Sequence, residues 1–397
     1  MRVIQNDLEV RPRLHIKCWA SQIEDEAVRQ AANLASLPFA ISHIALMPDA
    51  HPGYGMPIGG VLFADKAIVP YAVGVDIGCG VSLIDTGLNA YDIDPDSLQL
   101  VLDRIARLVP VGNGPGAQFR EAKNTFDWIG MSVDIRWALS QVLLNAVDEG
   151  AVQLGTLGGG NHFIEVQKDP DGGVYVMLHS GSRSVGKKVC DHWHKVALGL
   201  NDRWHSDLPD RELAYLPWES DEARTYFEDM RTAMRWAEQN RAAMREAVKT
   251  AVAEYLPDAV FRDIVDVHHN YAAWESHRGR NGIVHRKGAV RARAGEVVLI
   301  PGSMGTASYI GEGLGSPDSF ESCQHGAGRA RSRAATLRLE TEDQFVASMT
   351  GVMLGGHAAG ARDESPFAYK DVDQVMADSS DLVRSVVRLV PMGVVKG

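Results

Sequence analysis

Asp76 and Cys79 stand three residues apart in Val75-Asp76-Ile77-Gly78-Cys79-Gly80, an apolar, glycine-rich run. A buried carboxylate is expensive unless it is paired or metal-bound. A thiolate is a strong ligand for borderline divalent ions and can bridge two of them. Taken alone, the pair fits a turn carboxylate beside a buried structural cysteine better than a metal site. Other groups change that balance. Leu157-Gly158-Gly159-Gly160-Asn161-His162-Phe163-Ile164-Glu165 combines freed backbone amides with an imidazole, which suits a phosphate near a metal. Leu178-His179-Ser180-Gly181-Ser182-Arg183 places a histidine at a strand end before a turn with hydroxyls and an arginine. Val267-His268-His269-Asn270 carries two adjacent histidines. On an extended segment they face opposite ways, so at most one enters a given site. Pro301-Gly302-Ser303-Met304-Gly305 resembles a loop cradling an anion. Ser322-Cys323-Gln324-His325-Gly326-Ala327-Gly328-Arg329-Ala330-Arg331-Ser332-Arg333 sets an exposed histidine before a turn and three alternating arginines. Imidazole can attack an activated phosphorus, and arginines can hold phosphates bidentately. Each motif has a bland structural explanation, but the set would need a separate one for every motif. Asp191-His192-Trp193-His194 is set aside as helical surface, because its two histidines do not share a helix face. His277 and His285 are expected in loops.

These residues need a scaffold of strands whose ends converge. Strand-like runs are Gly60–Ala64, Val174–Leu178 and Glu296–Ile300, each closed by glycine or polar turns. Helices are expected over Ile23–Leu37, from the Asp94-Pro95-Asp96 cap to about Leu108, and over Ser132–Val152. The longest starts near Asp221, with Ala223, Tyr226, Phe227, Met230, Met234 and Ala237 at helical spacing, and extends to about Tyr255. Ala67–Ile84 has one charge, Asp76, at its centre, together with Pro70 and three glycines. A carboxylate there is costly in a spanning helix, so two buried strands joined by a tight turn are expected. Regular βαβ alternation is absent. The expected fold is α+β: one compact domain over residues 1–397, with central mixed and antiparallel sheets and flanking helices.

The 397 residues are 45% hydrophobic and 23% charged, ordinary for a globular enzyme. The 39 glycines cluster in the motifs above. Four cysteines without a C-x-x-C pair, and an N-terminus lacking a signal-like apolar run, predict a reduced cytoplasmic protein without a membrane span. A net charge of −11 means that any nucleic-acid contact must use a local basic patch.

The motifs, in this order, resemble the RtcB family of RNA ligases. The similarity runs from Met47-Pro48-Asp49-Ala50-His51-Pro52-Gly53-Tyr54-Gly55 to Lys396-Gly397. It includes Val284-His285-Arg286-Lys287-Gly288-Ala289 and Ala368-Tyr369-Lys370-Asp371-Val372-Asp373. The resemblance implies GTP- and Mn2+-dependent joining of RNA 3′-phosphate or 2′,3′-cyclic phosphate ends to 5′-hydroxyl ends, in tRNA splicing or RNA repair. His325 would carry GMP. Two Mn2+ ions would be held by Asp76, Cys79, His162, His179 and His269, with Cys79 bridging. His269 takes the role rather than His268 because the family's histidine directly precedes the asparagine. The nucleotide pocket would comprise Asn161, His162, Phe163, Ile164, Glu165, His269, Asn270, Pro301, Gly302, Ser303, Met304, Ser308, His325, Gly326, Ala327, Gly328 and Lys396. Tyr369 would stack on or contact the base, and Asp49 would lie near the site. Arg183, Lys287, Arg329 and Arg333 match positions suited to RNA phosphates.

Two positions depart from the family pattern: Ser184, where glycine is usual, and Gln324, where serine is common. The first would strain a turn of positive φ, and the second would crowd the phosphate beside His325. Two other functional classes fit parts of the pattern. One is a metal-dependent phosphoesterase that opens cyclic phosphates without joining. The other is a non-catalytic RNA-binding relative. The resemblance leaves an activating protein and the oligomeric state open.

Overall fold

The computed structural model describes residues 1–4, 13–111 and 139–397. Among these, two sheets dominate. The first has strand order Arg2–Ile4, His15–Cys18, Ala40–His51, Ile58–Ala64, Arg280–Lys287, Asn270–His277. Its pairs are antiparallel except His15–Cys18 with Ala40–His51. The second runs Arg262–His268, Gly80–Asn89, Gly173–Ser180, Phe163–Lys168, Val383–Lys396, Ser308–Gly313, Val297–Ile300, with Met353–Gly356 added in parallel beside Val383–Lys396. The architecture is the expected α+β one.

The register of the second sheet builds the site. Gly80 pairs with both Ser180 and His268, Val81 with His179, and Phe163 with both His179 and Lys396. The same ends of five adjacent strands therefore carry Cys79, His162, His179, His268 and Lys396 side by side. His269 then links this sheet directly to the first, whose Asn270–His277 strand begins one residue later. The site sits where the two sheets meet.

The long helix spans Asp221–Tyr255. Ser220 caps it, accepting from the Ala223 amide, and two acidic residues open its first turn. Tyr226, Met230, Trp236 and Met244 are buried along it. The helices Asp25–Ser36 and Pro95–Leu108 lie where expected. Residues 132–138 of the Ser132–Val152 helix fall outside the described residues, and the remainder is helical over Gln141–Gly150. No described helix is long and apolar enough to cross a membrane.

Three expectations fail. Ala67–Ile84 is not two strands. A short Ala67–Ile68 strand leads into a helical turn at Pro70–Val73, then the Asp76–Cys79 loop, then Gly80–Asn89. Pro70 at the first helical position favours that turn. His277 and His285 are buried within strands, not placed in loops. His285 Nε2 accepts from the Val69 amide at 3.1 Å, and His277 Nε2 lies 2.8 Å from Glu275. His194 is buried and stacks on Tyr71 at 3.8 Å. Basic or polar sequence neighbours cannot reveal such burial, because alternate strand residues face opposite sides.

Glu275 and Arg286 form a two-pronged ion pair across neighbouring strands, at 2.5 and 3.0 Å. Burial alone would raise the Glu275 carboxyl, but His277 and Arg286 outweigh it and hold it at about 2. Replacing Arg286 with methionine leaves that carboxylate buried without its cation. The expected loss is ~3–5 kcal/mol of unfolding free energy in a urea melt. A loss under about 1 kcal/mol would show that the pair is not stabilising.

Candidate active site

A cavity of about 750 Å³ opens at the junction of the two sheets. On its floor Cys79 Sγ lies 3.2 Å from His179 Nε2 and 3.5 Å from His162 Nε2. His179 Nε2 is 3.3 Å from His269 Nε2, and His162 Nε2 is 3.3 Å from an Asp76 carboxylate oxygen. The other ring nitrogens face outward: His162 Nδ1 is 2.9 Å from the Leu157 carbonyl and His179 Nδ1 is 3.2 Å from that of Asn161. Those contacts favour the proton on Nδ1 and leave the Nε2 lone pairs directed at the thiol. Asp76 Oδ1 accepts from the Ser182 amide and hydroxyl, each at 3.0 Å. Burial would raise the Asp76 carboxyl, but His162 and Arg183 hold it at about 2. Burial, then neighbouring imidazoles, push His179 and His269 well below the ordinary histidine range, so both rings are neutral. Burial, then Asp76, push the Cys79 thiol well up. A carboxylate, a thiol and three imidazoles in close contact suit a borderline divalent ion, which would displace the thiol proton. The donor set fits a divalent metal ion.

His268 turns the other way, its Nδ1 3.1 Å from Arg241. The two side chains thus reach different partners, and His269 is the one in the cluster.

His325 follows the short Ser322–Gln324 strand, paired with Ala289–Arg291. It is half-buried, not exposed as its sequence suggested. Its Nδ1 is 2.7 Å from Asp49 Oδ2, and its backbone amide donates to the same oxygen at 3.0 Å. The ring centre lies 4.8 Å from that of His269. Asp49 is fully buried on the Ala40–His51 strand. Nδ1 therefore faces Asp49, and Nε2 is the ring nitrogen turned away from that carboxylate. Gly328, at φ 72°, lets the turn press against the Asp49 backbone, where a side chain would collide.

Most of the anticipated nucleotide-pocket residues line the cavity: Asn161, Phe163, Glu165, His269, Asn270, Pro301 through Met304, His325 through Gly328, Tyr369 and Lys396. Three do not. His162 lies beneath, against Cys79. Ile164 packs into the hydrophobic core. Ser308 supports the Pro301 loop from behind, accepting from the Gly302 amide at 3.2 Å and from Gln167 at 3.0 Å. The Ser303 amide is likewise taken by Thr306 at 2.7 Å. That loop therefore shapes the wall with its Gly302 and Ser303 amides already engaged. Asn270 ties the Asp76 carbonyl to the Gly288 amide, at 3.0 and 2.8 Å. Burial pushes Glu165 up to about 7.

The basic residues are less open than their sequence implied. Arg329 and Arg333 reach Glu364 at 3.1 and 2.8 Å, and Lys396 Nζ lies 3.8 Å from it. Tyr369 donates its hydroxyl to the same carboxylate, under the Arg329 guanidinium. Sequence reasoning missed Glu364: it stands in Arg362-Asp363-Glu364, with no motif around it. Lys287 lines the cavity, donates to the Tyr54 carbonyl and is lowered to about 8 by burial. Arg183 lies behind the triple-glycine loop, 3.4 Å from His162 Nδ1. Gly158 and Gly160 have positive φ, and a side chain there would overlap the guanidiniums of Arg183 and Arg333 respectively. The glycines are thus needed to admit arginines.

The two departures are accommodated. The positive φ, 58°, falls on Arg183, while Ser184 begins the Ser184–Arg203 helix and donates its amide and hydroxyl to Gln153 at 3.2 and 2.9 Å. Gln324 points away from the cavity and donates to Ser379 at 2.8 Å.

The sequence profile described as tRNA-splicing ligase RtcB matches residues 30–397. The RNA-splicing ligase RtcB of Escherichia coli K12 is 40% identical over 404 residues, covering 96% of this chain and 97% of that protein. The RNA-splicing ligase RtcB of Mycobacterium tuberculosis H37Rv is 35% identical over 435 residues, 93% of this chain and 100% of that protein. The tRNA-splicing ligase RtcB of Methanococcus maripaludis is 34% identical over 445 residues, 94% and 92% respectively. Alignments of this identity spanning almost both full lengths, on a chain whose motifs converge in one cavity, establish that the chain belongs to the RtcB family.

Proposed function

We propose that the protein is an RNA ligase that uses GTP and Mn2+ to join RNA 3′-phosphate or 2′,3′-cyclic phosphate ends to 5′-hydroxyl ends. The observation that carries this reading is the placement of His325: oriented by a buried carboxylate, with its ring against His269 of the thiol–imidazole cluster, in one shared cavity. A phosphoesterase would need the cluster but not a nucleophile poised beside it.

Asp76, Cys79, His162, His179 and His269 would hold the two manganese ions. Such a pair, when bound, neutralises phosphate charge and orients attacking and leaving oxygens. His325 Nε2 attacks the α-phosphorus of GTP; an N–P bond forms and pyrophosphate leaves. Asp49 holds the Nδ1 proton and offsets the positive charge that develops on the ring. The walls formed by Phe163, Glu165, Tyr369 and Lys396 receive the nucleotide. An RNA 3′-phosphate oxygen then takes the GMP, restoring the imidazole. The 5′-hydroxyl oxygen attacks the activated RNA phosphorus, and GMP departs. A cyclic end is first hydrolysed at the same centre: a water oxygen attacks the phosphorus, the P–O2′ bond breaks, and the 2′-oxygen leaves as a hydroxyl, giving a 3′-phosphate.

The test is to incubate the protein with labelled GTP and Mn2+, without RNA, and to look for acid-labile covalent label. No label on metal-loaded wild-type protein, with any activating partner supplied, sinks the ligase reading. Release of cyclic phosphate without joining would favour the phosphoesterase.

Arg183, Lys287, Arg329 and Arg333 are proposed to hold the RNA phosphates, with Arg329 and Arg333 exchanging Glu364 for phosphate. Four contacts to a single strand give a slope of about −3 in log affinity against log salt. RNA binding should therefore weaken steeply with salt, while GMP transfer to His325 changes much less. Equal salt sensitivity of both steps would count against these four residues.

A further inference from the structure

The Asp221–Tyr255 helix buries two adjacent polar side chains, Asn240 and Arg241, completely. Neither reaches the cavity, and the proposed chemistry does not use them. Burying a guanidinium is costly unless every donor is well satisfied, and apolar residues would fill the same space more cheaply. Their partners explain their presence.

Asn240 Oδ1 accepts from the Gly155 and Thr156 amides at 2.7 and 3.2 Å, at the start of the loop that leads to His162. Its Nδ2 lies 3.2 Å from the Thr156 carbonyl, the Ser180 hydroxyl and the Gly181 carbonyl. One amide thus ties the His162 loop to the residues that follow His179. Arg241 continues the pattern. A single guanidinium nitrogen donates to the Gly78 carbonyl at 2.9 Å and the Ser180 carbonyl at 3.0 Å. That joins the residue before Cys79 to the residue after His179. The other terminal nitrogen lies 3.1 Å from His268 Nδ1, next to His269. The remaining face forks onto Asp266, in the strand running to His268, at 2.6 to 3.1 Å. Gly80 completes the fit: a side-chain carbon there would come within 3.0 Å of the guanidinium carbon and would collide with the Val267 carbonyl.

We propose that Asn240 and Arg241 are positioning residues that lock the four segments carrying Cys79, His162, His179 and His269 into the spacing a metal centre needs. The proposal rests on the metal reading of that cluster. Each ligand comes from a different strand end or loop, and the adjacent pair on the helix contacts the segments of all four. Without it the sheet register still aligns the strand ends, but the loops beyond them lose their common anchor. Outer groups of this kind change metal affinity by about 10–100-fold when removed.

The test uses the full-length metal-free protein and Co2+ as the probe, followed by its sulfur-to-cobalt charge-transfer absorption. Two variants serve. Arg241→Lys keeps a cation for Asp266 but loses the fork to Gly78 and Ser180. Asn240→Ala removes the bridge between the His162 and His179 segments. Thermal melts without metal report folding separately. Cooperative melts together with about 10–100-fold more Co2+ needed for half-saturation are the expected result. A purely structural role would lower the metal-free melting temperature while the folded protein kept wild-type Co2+ affinity and absorption; that outcome overturns the proposal. If Arg241→Lys fails to fold, Asn240→Ala decides by the same criterion. A wild-type protein with no thiolate band overturns the metal reading itself, and the role of the pair with it.

Discussion

Alanine in place of His325 is expected to lower GMP transfer from GTP by about 10⁴- to 10⁶-fold, the range seen when a nucleophile that acts as part of a unit is removed. The metal cluster should survive the change. His325 contacts it only through the His269 ring at 4.8 Å, and none of the Cys79, His162 or His179 contacts passes through it. Manganese content measured on the purified variant should therefore match wild type. Covalent label persisting in His325→Ala would show that another residue carries GMP. Asp49→Asn is the companion experiment. Asparagine can still accept from the His325 amide and ring through one oxygen, so geometry is retained while the charge is lost. Stabilisation of the cationic ring falls, and single-turnover GMP transfer should slow by about 10²–10⁴-fold. A rate within a few-fold of wild type would mean that Asp49 only shapes the turn.

Cys79→Ser is expected to have the second-largest effect. Sγ is the contact shared by His162 and His179, and no other described cysteine lies in the cavity. A serine hydroxyl fills nearly the same volume but is a far weaker ligand than a thiolate at neutral pH. The variant should fold, with a metal-free melt within about 1 kcal/mol of wild type, since a small isosteric change leaves the packing intact. Bound manganese should fall below the wild-type stoichiometry, and ligation should fall by about 10³-fold or more. The wild-type thiol is held well above its ordinary range by burial and by Asp76, so metal entry must expel its proton. Metal affinity in wild type therefore rises with pH, and serine should flatten that dependence. Full manganese occupancy in Cys79→Ser would remove Cys79 from the metal set.

Helix Asp221–Tyr255 was legible because an apolar stripe recurs at helical spacing over many turns. That stripe gives no sign of Asn240 and Arg241: a polar residue on the buried face looks like an interruption until its partners are known. Glu364 was hidden for a similar reason. Besides the nearby Tyr369, its partners Arg329, Arg333 and Lys396 each lie more than thirty residues away along the chain. Gln324 and Ser184 looked disruptive in one dimension, yet each points into a hydrogen bond away from the cavity.

Residue chemistry and local spacing suffice to pick out the candidate groups, because an acid, a thiol, imidazoles and glycine-rich turns are improbable together by chance; their roles, and His269 over His268, came from the resemblance to the family. They also suffice to place those groups at strand ends. Which groups touch is set by β-sheet register. Pairing Gly80 with Ser180 and His268, and Phe163 with His179, aligns ends separated by up to about two hundred residues of sequence. A one-residue slip would turn every one of those side chains to the opposite face. No local signal encodes that register, since it is selected by packing of both sheet faces against the helices. The same packing chose His269 over His268 and held the arginines on Glu364.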